Sequence, residues 1–214
     1  MDARVTRAFT PVFDGLCPRM TGHYGACPKS YIVGIMRVIG LAGWSGSGKT
    51  TLLTRAIPRL TARGLRVSTL KHAHHAFEID RPGKDSFEHR AAGATEVLVG
   101  AASRWALVHE LRGEDEPGLP ALLKRLSPVD LVLIEGYKAA AHPKLEVHRA
   151  AIGKPLLHPG DPHIVAIAAD GPLPEATVPV IDLNDIEAIV DMLLARATPL
   201  SSPPPCPPPL AGEG

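Results

Sequence analysis

A glycine-rich stretch, "GWSGSGKTT" at residues 43–51, carries the clearest chemistry in the sequence. Its first eight residues match the pattern GxxxxGK[ST] in full, with an apolar stretch before it and a helical pattern after it. Glycines let successive backbone N–H groups point at phosphate oxygens, and the start of the helix adds its positive dipole end. We therefore predict a nucleotide site that uses Gly43, Ser45, Gly46, Ser47, Gly48, Lys49, Thr50 and Thr51.

Two of these residues have defined roles, since Lys49 is expected at the β- and γ-phosphates and Thr50 on Mg²⁺. The metal also needs a carboxylate, and the apolar stretch "LVLI" has Asp130 before it and Glu135 after it. Parallel sheets bind ligands at the carboxyl ends of their strands, and Asp130 would lie roughly 15 Å away, at about 3.3 Å per residue. Glu135 is therefore the predicted metal-side carboxylate.

A second polar cluster is "TLKHAHHAFEIDRPGKDS" at residues 69–86. It follows a predicted strand, which places it beside the phosphate loop. Four interpretations remain open from the residues alone. The histidines could bind a transition metal with Asp80, act as acids or bases near the γ-phosphate, bind a second anionic ligand or partner surface, or hydrogen-bond their own loop. The side chains concerned are Lys71, His72, His74, His75, Asp80, Lys84 and Asp85.

Strand and helix patterns alternate along the chain, which favours an α/β sandwich with a mostly parallel sheet flanked by helices, of the P-loop NTPase type. Asp85 and Glu88 fit a capping box that opens one helix, Gly93 fits its end, and Pro58 predicts a kink in another. Strand patterns cover residues 37–42, 66–71, 95–101, 104–111, 130–136, 144–148, 164–169 and 178–181. Further helix patterns cover residues 50–63, 118–126 and 184–197.

The two ends differ from this middle part. Residues 1–35 have no clean period and predict a poorly ordered extension, while the proline-rich residues 199–214 predict a disordered tail, so residues 36–198 form the expected domain. A net charge of +1 gives no broad basic field for nucleic acid, and no apolar run approaches the roughly 20 residues of a membrane span. The three cysteines lack zinc-ligand spacing, which favours a reduced, cytoplasmic protein.

Three stretches taken together resemble the family of molybdopterin-guanine dinucleotide biosynthesis adapter proteins, MobB. They are "GWSGSGKTTL", "TLKHAHHAFEIDRPGKDSFEHRAAGA" and "LVLIEGYKAAAHPKLEVHR", in this order within residues 36–197. The second stretch is the most specific. Family members often have an acidic residue where this chain has Ala73 and phenylalanine where it has Tyr137. An acidic role at position 73 is therefore impossible here.

The resemblance implies a GTP-binding homodimer that uses Mg²⁺, hydrolyses GTP slowly at most, and assists a guanylyltransferase that attaches GMP to molybdopterin, with molybdopterin itself a possible ligand. It gives phosphate and magnesium binding to Gly46, Gly48, Lys49, Thr50 and Thr51, and no catalytic residue. Guanine preference rests on the resemblance alone, because the chain has no NKxD motif. Alternatives are a small-molecule kinase and a metallochaperone-type NTPase. Further signature positions are Glu135, Gly136, Lys138, Lys144, Glu146 and Arg149.

Overall fold

The computed structural model describes residues 35–73 and 79–200. Residues 1–34 of the predicted extension, residues 201–214 of the predicted tail, His74 and His75 all lie outside the described residues, as do the three cysteines. Within the described part of the chain, no helix is long and apolar enough to cross a membrane.

A mostly parallel sheet of seven strands forms the centre of the fold, in the order β2-β5-β1-β6-β7-β8, with β9 antiparallel to the start of β1. Strands β3 and β4 form a separate antiparallel hairpin. The strands are β1 (Arg37–Ala42), β2 (Val67–Lys71), β3 (Glu96–Ala101), β4 (Arg104–His109), β5 (Leu131–Glu135), β6 (Lys144–His148), β7 (Ile164–Ala169), β8 (Val180–Asp182) and β9 (Thr198–Pro199).

The described residues include four α-helices: α1 (Lys49–Ala62), α2 (Asp85–Ala91), α3 (Leu119–Leu123) and α4 (Ile186–Arg196). Helices α1, α3 and α4 pack against the sheet, whereas α2 contacts strand β3 of the hairpin. Alternate side chains of the central strands point to opposite faces of the sheet. Both faces are apolar, so each must pack against other elements. One face of β1 packs against α1 and α4 through Ile39 and Leu41. The other face packs against α3 through Val38.

The predicted α/β class is confirmed, and the observed helices and the strands β1 to β8 fall within or close to the predicted ranges, whereas β9 was not predicted. The helix α1 runs unbroken through Pro58. The predicted capping box at α2 is wrong, because the helix begins at Asp85 with Lys84 as its N-cap and has no side-chain cap. Asp85 and Glu88 instead lie in the first turn, where the helix dipole stabilises negative charge.

Backbone hydrogen bonding with β1 extends to Leu200, two residues beyond the predicted domain boundary at 198. The Leu200 N–H donates to Met36 O at 2.7 Å.

The connection from β5 to β6 is unusually short for two parallel strands. We call residues 136–143 the crossover segment. Parallel strands normally need a connection of about a dozen residues or more, often a helix. Here Glu135, the last residue of β5, pairs with Leu41 of β1. Lys144, the first residue of β6, pairs with Gly40, so the two ends of the segment lie only one residue apart along β1. It passes directly across β1, where Gly40 N donates to Pro143 O at 2.8 Å.

His142 of this segment explains why a glycine occupies the middle of β1. A Cβ at Gly40 would lie 2.3 Å from His142 Nε2, so only glycine lets the ring pack there. His142 is 6% exposed. Burial, followed by the charges of Lys144 and His163, lowers the pKa of its imidazole to about 4, although Asp161 opposes this shift. The ring is therefore neutral and packed at neutral pH.

We expect this histidine to make the fold sensitive to acid. The pKa is lower in the folded than in the unfolded state, about 4 against 6.5, so the stabilisation is complete above pH 6.5 and is lost as pH falls toward 4. The loss is roughly 3 kcal/mol, at about 1.36 kcal/mol per unit. Urea unfolding of wild type and His142→Gln between pH 4.5 and 7.5 should show a flatter profile for the variant. The exposed His89→Gln serves as control, and equal slopes in all three proteins would contradict the assignment.

Candidate functional site

The phosphate loop, residues 43–50, joins the carboxyl end of β1 to the start of α1. Gly48 lies at φ 93°, in the left-handed region that favours glycine. Ser45 and Gly46 are exposed, whereas Ser47 is buried, and its N–H donates to Trp44 O at 3.1 Å. The loop is therefore compact and turned inward. This form places backbone N–H groups at the N-terminus of α1, where the helix dipole favours an anion.

The Lys49 ammonium lies over this loop. Its Nζ donates to Gly43 O at 3.0 Å and to Trp44 O at 2.9 Å. Burial lowers the pKa of Lys49, Glu135 raises it, and the nearby Lys138 and Lys71 lower it. The ammonium is thus held by two carbonyls among other cations, and an anion placed on the loop would relieve that repulsion.

Thr50 and Glu135 meet at the edge of the sheet, as the order of the strands requires. Thr50 Oγ1 lies 3.1 Å from Glu135 Oε1 and 3.3 Å from Oε2. Lys71, at the end of β2, places its Nζ 3.8 Å from Glu135 Oε1. A hydroxyl and a carboxylate this close are the oxygen ligands that Mg²⁺ takes beside a bound phosphate.

Asp130 lies at the other end of β5 and has a structural partner. Its Oδ2 accepts a hydrogen bond from the Arg66 backbone N–H at 2.7 Å, and the guanidinium of Arg66 lies close to both carboxylate oxygens. The side-chain and backbone hydrogen bonds of Arg66 lower the pKa of Asp130. Asp130 therefore lies at the opposite end of β5 from Glu135, as the direction of the strand predicted, and the magnesium role of Glu135 stays a prediction.

His72 follows β2 and packs rather than projecting into the site. Its ring stacks on Tyr137 with 4.6 Å between the centroids, and its Nε2 lies 2.7 Å from Glu116 Oε1. Gly136 allows this approach, since a Cβ there would lie 2.7 Å from His72 Cβ. Burial, followed by Glu116, raises the pKa of the Tyr137 phenol. His72 thereby fastens the end of β2 to the crossover segment.

The remaining described residues of the histidine stretch belong to a second network. Asp80 is held by Arg90, whose Nη2 lies 2.6 Å from Oδ1 and whose Nε lies 3.2 Å from Oδ2, and Arg90 also binds Glu110. Both Asp80 oxygens are therefore occupied by a guanidinium. Lys84 and Asp85 are exposed at the start of α2. Within residues 35–73 and 79–200, no group of three or more His, Cys, Asp or Glu side chains is placed to hold a metal ion.

Two charged positions on β6 point inward. Lys144 and Glu146 are each 1% exposed. Lys144 Nζ lies 2.9 Å from Asp161 Oδ2, while Glu146 accepts the backbone N–H groups of Leu157 and His158 at 2.7 and 2.8 Å. Burial raises the pKa of the Asp161 carboxyl, whereas the hydrogen bond from Lys144 and other nearby interactions lower it. The net result is a pKa below the usual value. Both residues position the segment after β6.

Arg149, which follows β6, lies directly on the phosphate loop. Its Nε donates to Ser47 O at 3.2 Å, and a Cβ at Gly48 would lie 3.3 Å from the same nitrogen. On the far side, Asp170 Oδ2 lies 3.9 Å from Arg149 Nη1. The Arg149 side chain is 41% exposed, and its guanidinium has further N–H donors that could reach a phosphate on the loop.

Sequence reasoning missed a cluster around Trp44, the aromatic residue within the loop. Lys138 Nζ lies 5.1 Å and Lys154 Nζ 5.8 Å from the centroid of the Trp44 ring. The indole N–H donates to Pro155 O at 2.8 Å. The only sequence signal was an aromatic residue at a variable position of the motif. Nothing in the sequence marked Glu116, His142, Lys154 or Asp161.

The sheet, its flanking helices and the loop together define a fold of the P-loop NTPase type. A family model described as "Molybdopterin guanine dinucleotide synthesis protein B" matches residues 38–170. The chain therefore belongs to the MobB family.

Relatives support this assignment along most of the domain. A molybdopterin-guanine dinucleotide biosynthesis adapter protein of Escherichia coli (strain K12) is 42% identical over 160 residues, or 73% of this chain and 91% of the relative. One from Haemophilus influenzae is 39% identical over 156 residues, or 73% and 86%. A crystal structure of molybdopterin-guanine biosynthesis protein B superimposes with a TM-score of 0.60 at 27% identity, covering 74% of this chain and 98% of that one.

Proposed function

We propose that this protein is a GTP-binding adapter of the cytoplasm that uses Mg²⁺ and assists a guanylyltransferase in forming molybdopterin guanine dinucleotide. The observation that carries the proposal is the contact between Thr50 and Glu135 beside the phosphate loop, at 3.1 Å. It brings together a hydroxyl and a carboxylate, both possible ligands of Mg²⁺, beside the loop where the phosphates of a bound triphosphate would lie.

An adapter fits this site better than a fast enzyme does. Lys49 and Arg149 lie on the loop and supply a phosphate clamp, but Arg90 is engaged by Asp80 and Glu110. An arginine that completes the charge stabilisation at the transferred phosphate is worth 10³–10⁵ in rate where it is used. We therefore infer slow GTP hydrolysis by the isolated protein.

The kinase and metallochaperone alternatives have less support. A kinase needs a lid whose arginines reach the transferred phosphate, and Arg90, which follows the histidine stretch, is part of a structural network. A metallochaperone would use the histidines with Asp80, whose oxygens are held by the same arginine. His72 is likewise packed against Tyr137 and Glu116.

Nucleotide binding should depend on Lys49. Lys49→Ala removes a charge-assisted contact worth roughly 1.5–3 kcal/mol, so the affinity for GTP should fall about ten- to a hundredfold. Calorimetric titration of wild type and variant with GTP and ATP measures this, with the exposed Lys124→Ala as matched control. Unchanged affinity for both nucleotides would place the site elsewhere. A clear preference of the wild type for ATP would remove the guanine assignment.

The magnesium role of Glu135 can be separated from nucleotide binding itself. Glu135→Gln keeps the side-chain size but removes the charge that faces Thr50, so Mg²⁺ should strengthen GTP binding less in the variant than in wild type. Binding without Mg²⁺ should change little. Asp130→Asn is the control at the opposite end of the same strand. A larger effect of Asp130→Asn would mean that the metal lies at the other edge.

We also propose that the β3–β4 hairpin joins two copies of the chain. One face of the hairpin carries apolar side chains, with Leu98 opposite Leu107 and Trp105 opposite Gly100. Leu98 is 65% and Trp105 67% exposed. A two-stranded hairpin is marginal in water on its own and is stabilised when its apolar face is covered. A second hairpin of the same kind supplies a matching apolar surface around a two-fold axis.

Sedimentation tests this assembly. Wild type should sediment at twice the chain mass of 22.7 kDa, and Leu98→Lys should shift it toward a single chain without a change in circular dichroism. Val180→Lys introduces the same charge at an exposed apolar position on β8 and should leave the assembly intact. A wild type that sediments as a single chain at all concentrations would refute the proposed dimer.

A further inference from the structure

Lys138, in the crossover segment, keeps a positive charge that no acidic group offsets. Its exposed ammonium lies over the ring of Trp44, with Nζ 5.1 Å from the ring centroid, and it forms no ion pair with a carboxylate in the part of the chain that the structure describes. A cation–π contact holds an ammonium in place without neutralising it. Lys71 differs, because its Nζ lies 3.8 Å from Glu135 Oε1. The charge of Lys138 is therefore available to an added anion.

A tight turn fixes the backbone of Lys138. The Ala140 N–H donates to Tyr137 O at 2.9 Å, so Lys138 and Ala139 form the corner of the turn. Tyr137 has a φ of 50°, in the left-handed region that a bulky residue rarely adopts. Such backbone strain persists only where the surroundings hold it. Here the stacking of Tyr137 on the His72 ring, with 4.6 Å between the centroids, supplies that support.

The strand order places Lys138 at the end of the loop where a third phosphate would lie. In P-loop sites Mg²⁺ bridges the β- and γ-phosphates, and Glu135, the predicted metal-side carboxylate, is the last residue of β5. Lys138 follows the same strand. It is also close enough to Lys49 to lower the pKa of Lys49, and Lys49 Nζ binds the carbonyl of Trp44. The terminal phosphate of a bound triphosphate would thus lie between Lys49 and Lys138.

We propose that Lys138 binds the terminal phosphate of the nucleotide and so makes the protein prefer GTP to GDP. The inference rests on the proposed function, because it assigns a further ligand within the same nucleotide site. Tyr137 is then a positioning residue that acts through Lys138. Lys154 also lies over the Trp44 ring, at 5.8 Å, but it follows β6 and not the strand that carries Glu135. Its charge attracts any phosphate on the loop without selecting the third one.

Calorimetric titration with Mg²⁺ and either GDP or the β,γ-imido analogue of GTP, which is not hydrolysed, tests this preference. Wild type should bind the GTP analogue more tightly than GDP. In Lys138→Gln the affinity for the analogue should fall about tenfold, because a charge-assisted contact is lost, while the affinity for GDP should stay within about twofold. Lys138→Arg should keep the preference. Lys154→Gln is the matched control, since it removes a charge over the same ring, and it should leave the ratio of the two affinities unchanged.

A second pair of variants leaves Lys138 in place. Tyr137→Ala removes the stacked ring and should lower the affinity for the GTP analogue more than the affinity for GDP. Tyr137→Phe keeps the stacked ring and should keep the preference. A wild-type preference in Tyr137→Ala would remove the positioning role of Tyr137.

Three outcomes would overturn the inference while GDP binding in the same samples leaves the proposed function intact. They are equal affinity of wild type for both nucleotides, an equal loss of both affinities in Lys138→Gln, and an unchanged ratio in that variant. A wild type that binds neither nucleotide would refute the proposed function, and the inference with it.

Discussion

The parallel pairing of β1 with β5 on one side and β6 on the other determines where the phosphate loop, Glu135 and Arg149 lie. Because the three strands run in the same direction, their carboxyl ends meet at one edge of the sheet. The phosphate loop, Glu135 and Arg149 each follow one of these strands. The pairing of Leu41 with Glu135 then sets the contact between Glu135 and Thr50 at 3.1 Å. A change of register by one residue would turn these side chains to the other face.

That edge concentrates positive charge, which is costly without an anion. Lys49 is partly buried on carbonyl oxygens, and Lys71 and Lys138 are close enough to lower its pKa. The negative charge of Glu135 offsets the burial of Lys49 and the repulsion from the other lysines only in part. A phosphate placed there would outweigh this repulsion, since each cation would then have an opposite charge within reach. The repulsion between cations thus favours the anion-bound state, and burial of Lys49 strengthens the effect because water screens it less.

The sequence predicted the features that depend on local chemistry and strand order. The phosphate loop could be predicted because its glycines and Lys49 act through neighbouring backbone, and Glu135 because the edge rule separates it from Asp130. Features that depend on contacts between distant residues could not be predicted. Examples are the ring of His72 stacked on Tyr137, and the Lys144–Asp161 pair, which joins β6 to a loop of no recognisable pattern. At α2 the spacing of Asp85 and Glu88 did not produce a capping box, because Asp85 is the first helical residue rather than the N-cap.

The two buried charges of β6 are best explained by what they hold. An apolar pair of similar size would stabilise the sheet equally well or better, because taking charges out of water costs several kcal/mol per ion. Lys144 and Glu146 instead fix the position of the segment after β6. Lys144 binds the Asp161 carboxylate, and Glu146 accepts hydrogen bonds from two successive backbone N–H groups. The same strand pairs with β1 next to the phosphate loop. The phosphate loop and the segment after β6 are therefore held at a fixed separation by a single strand pair.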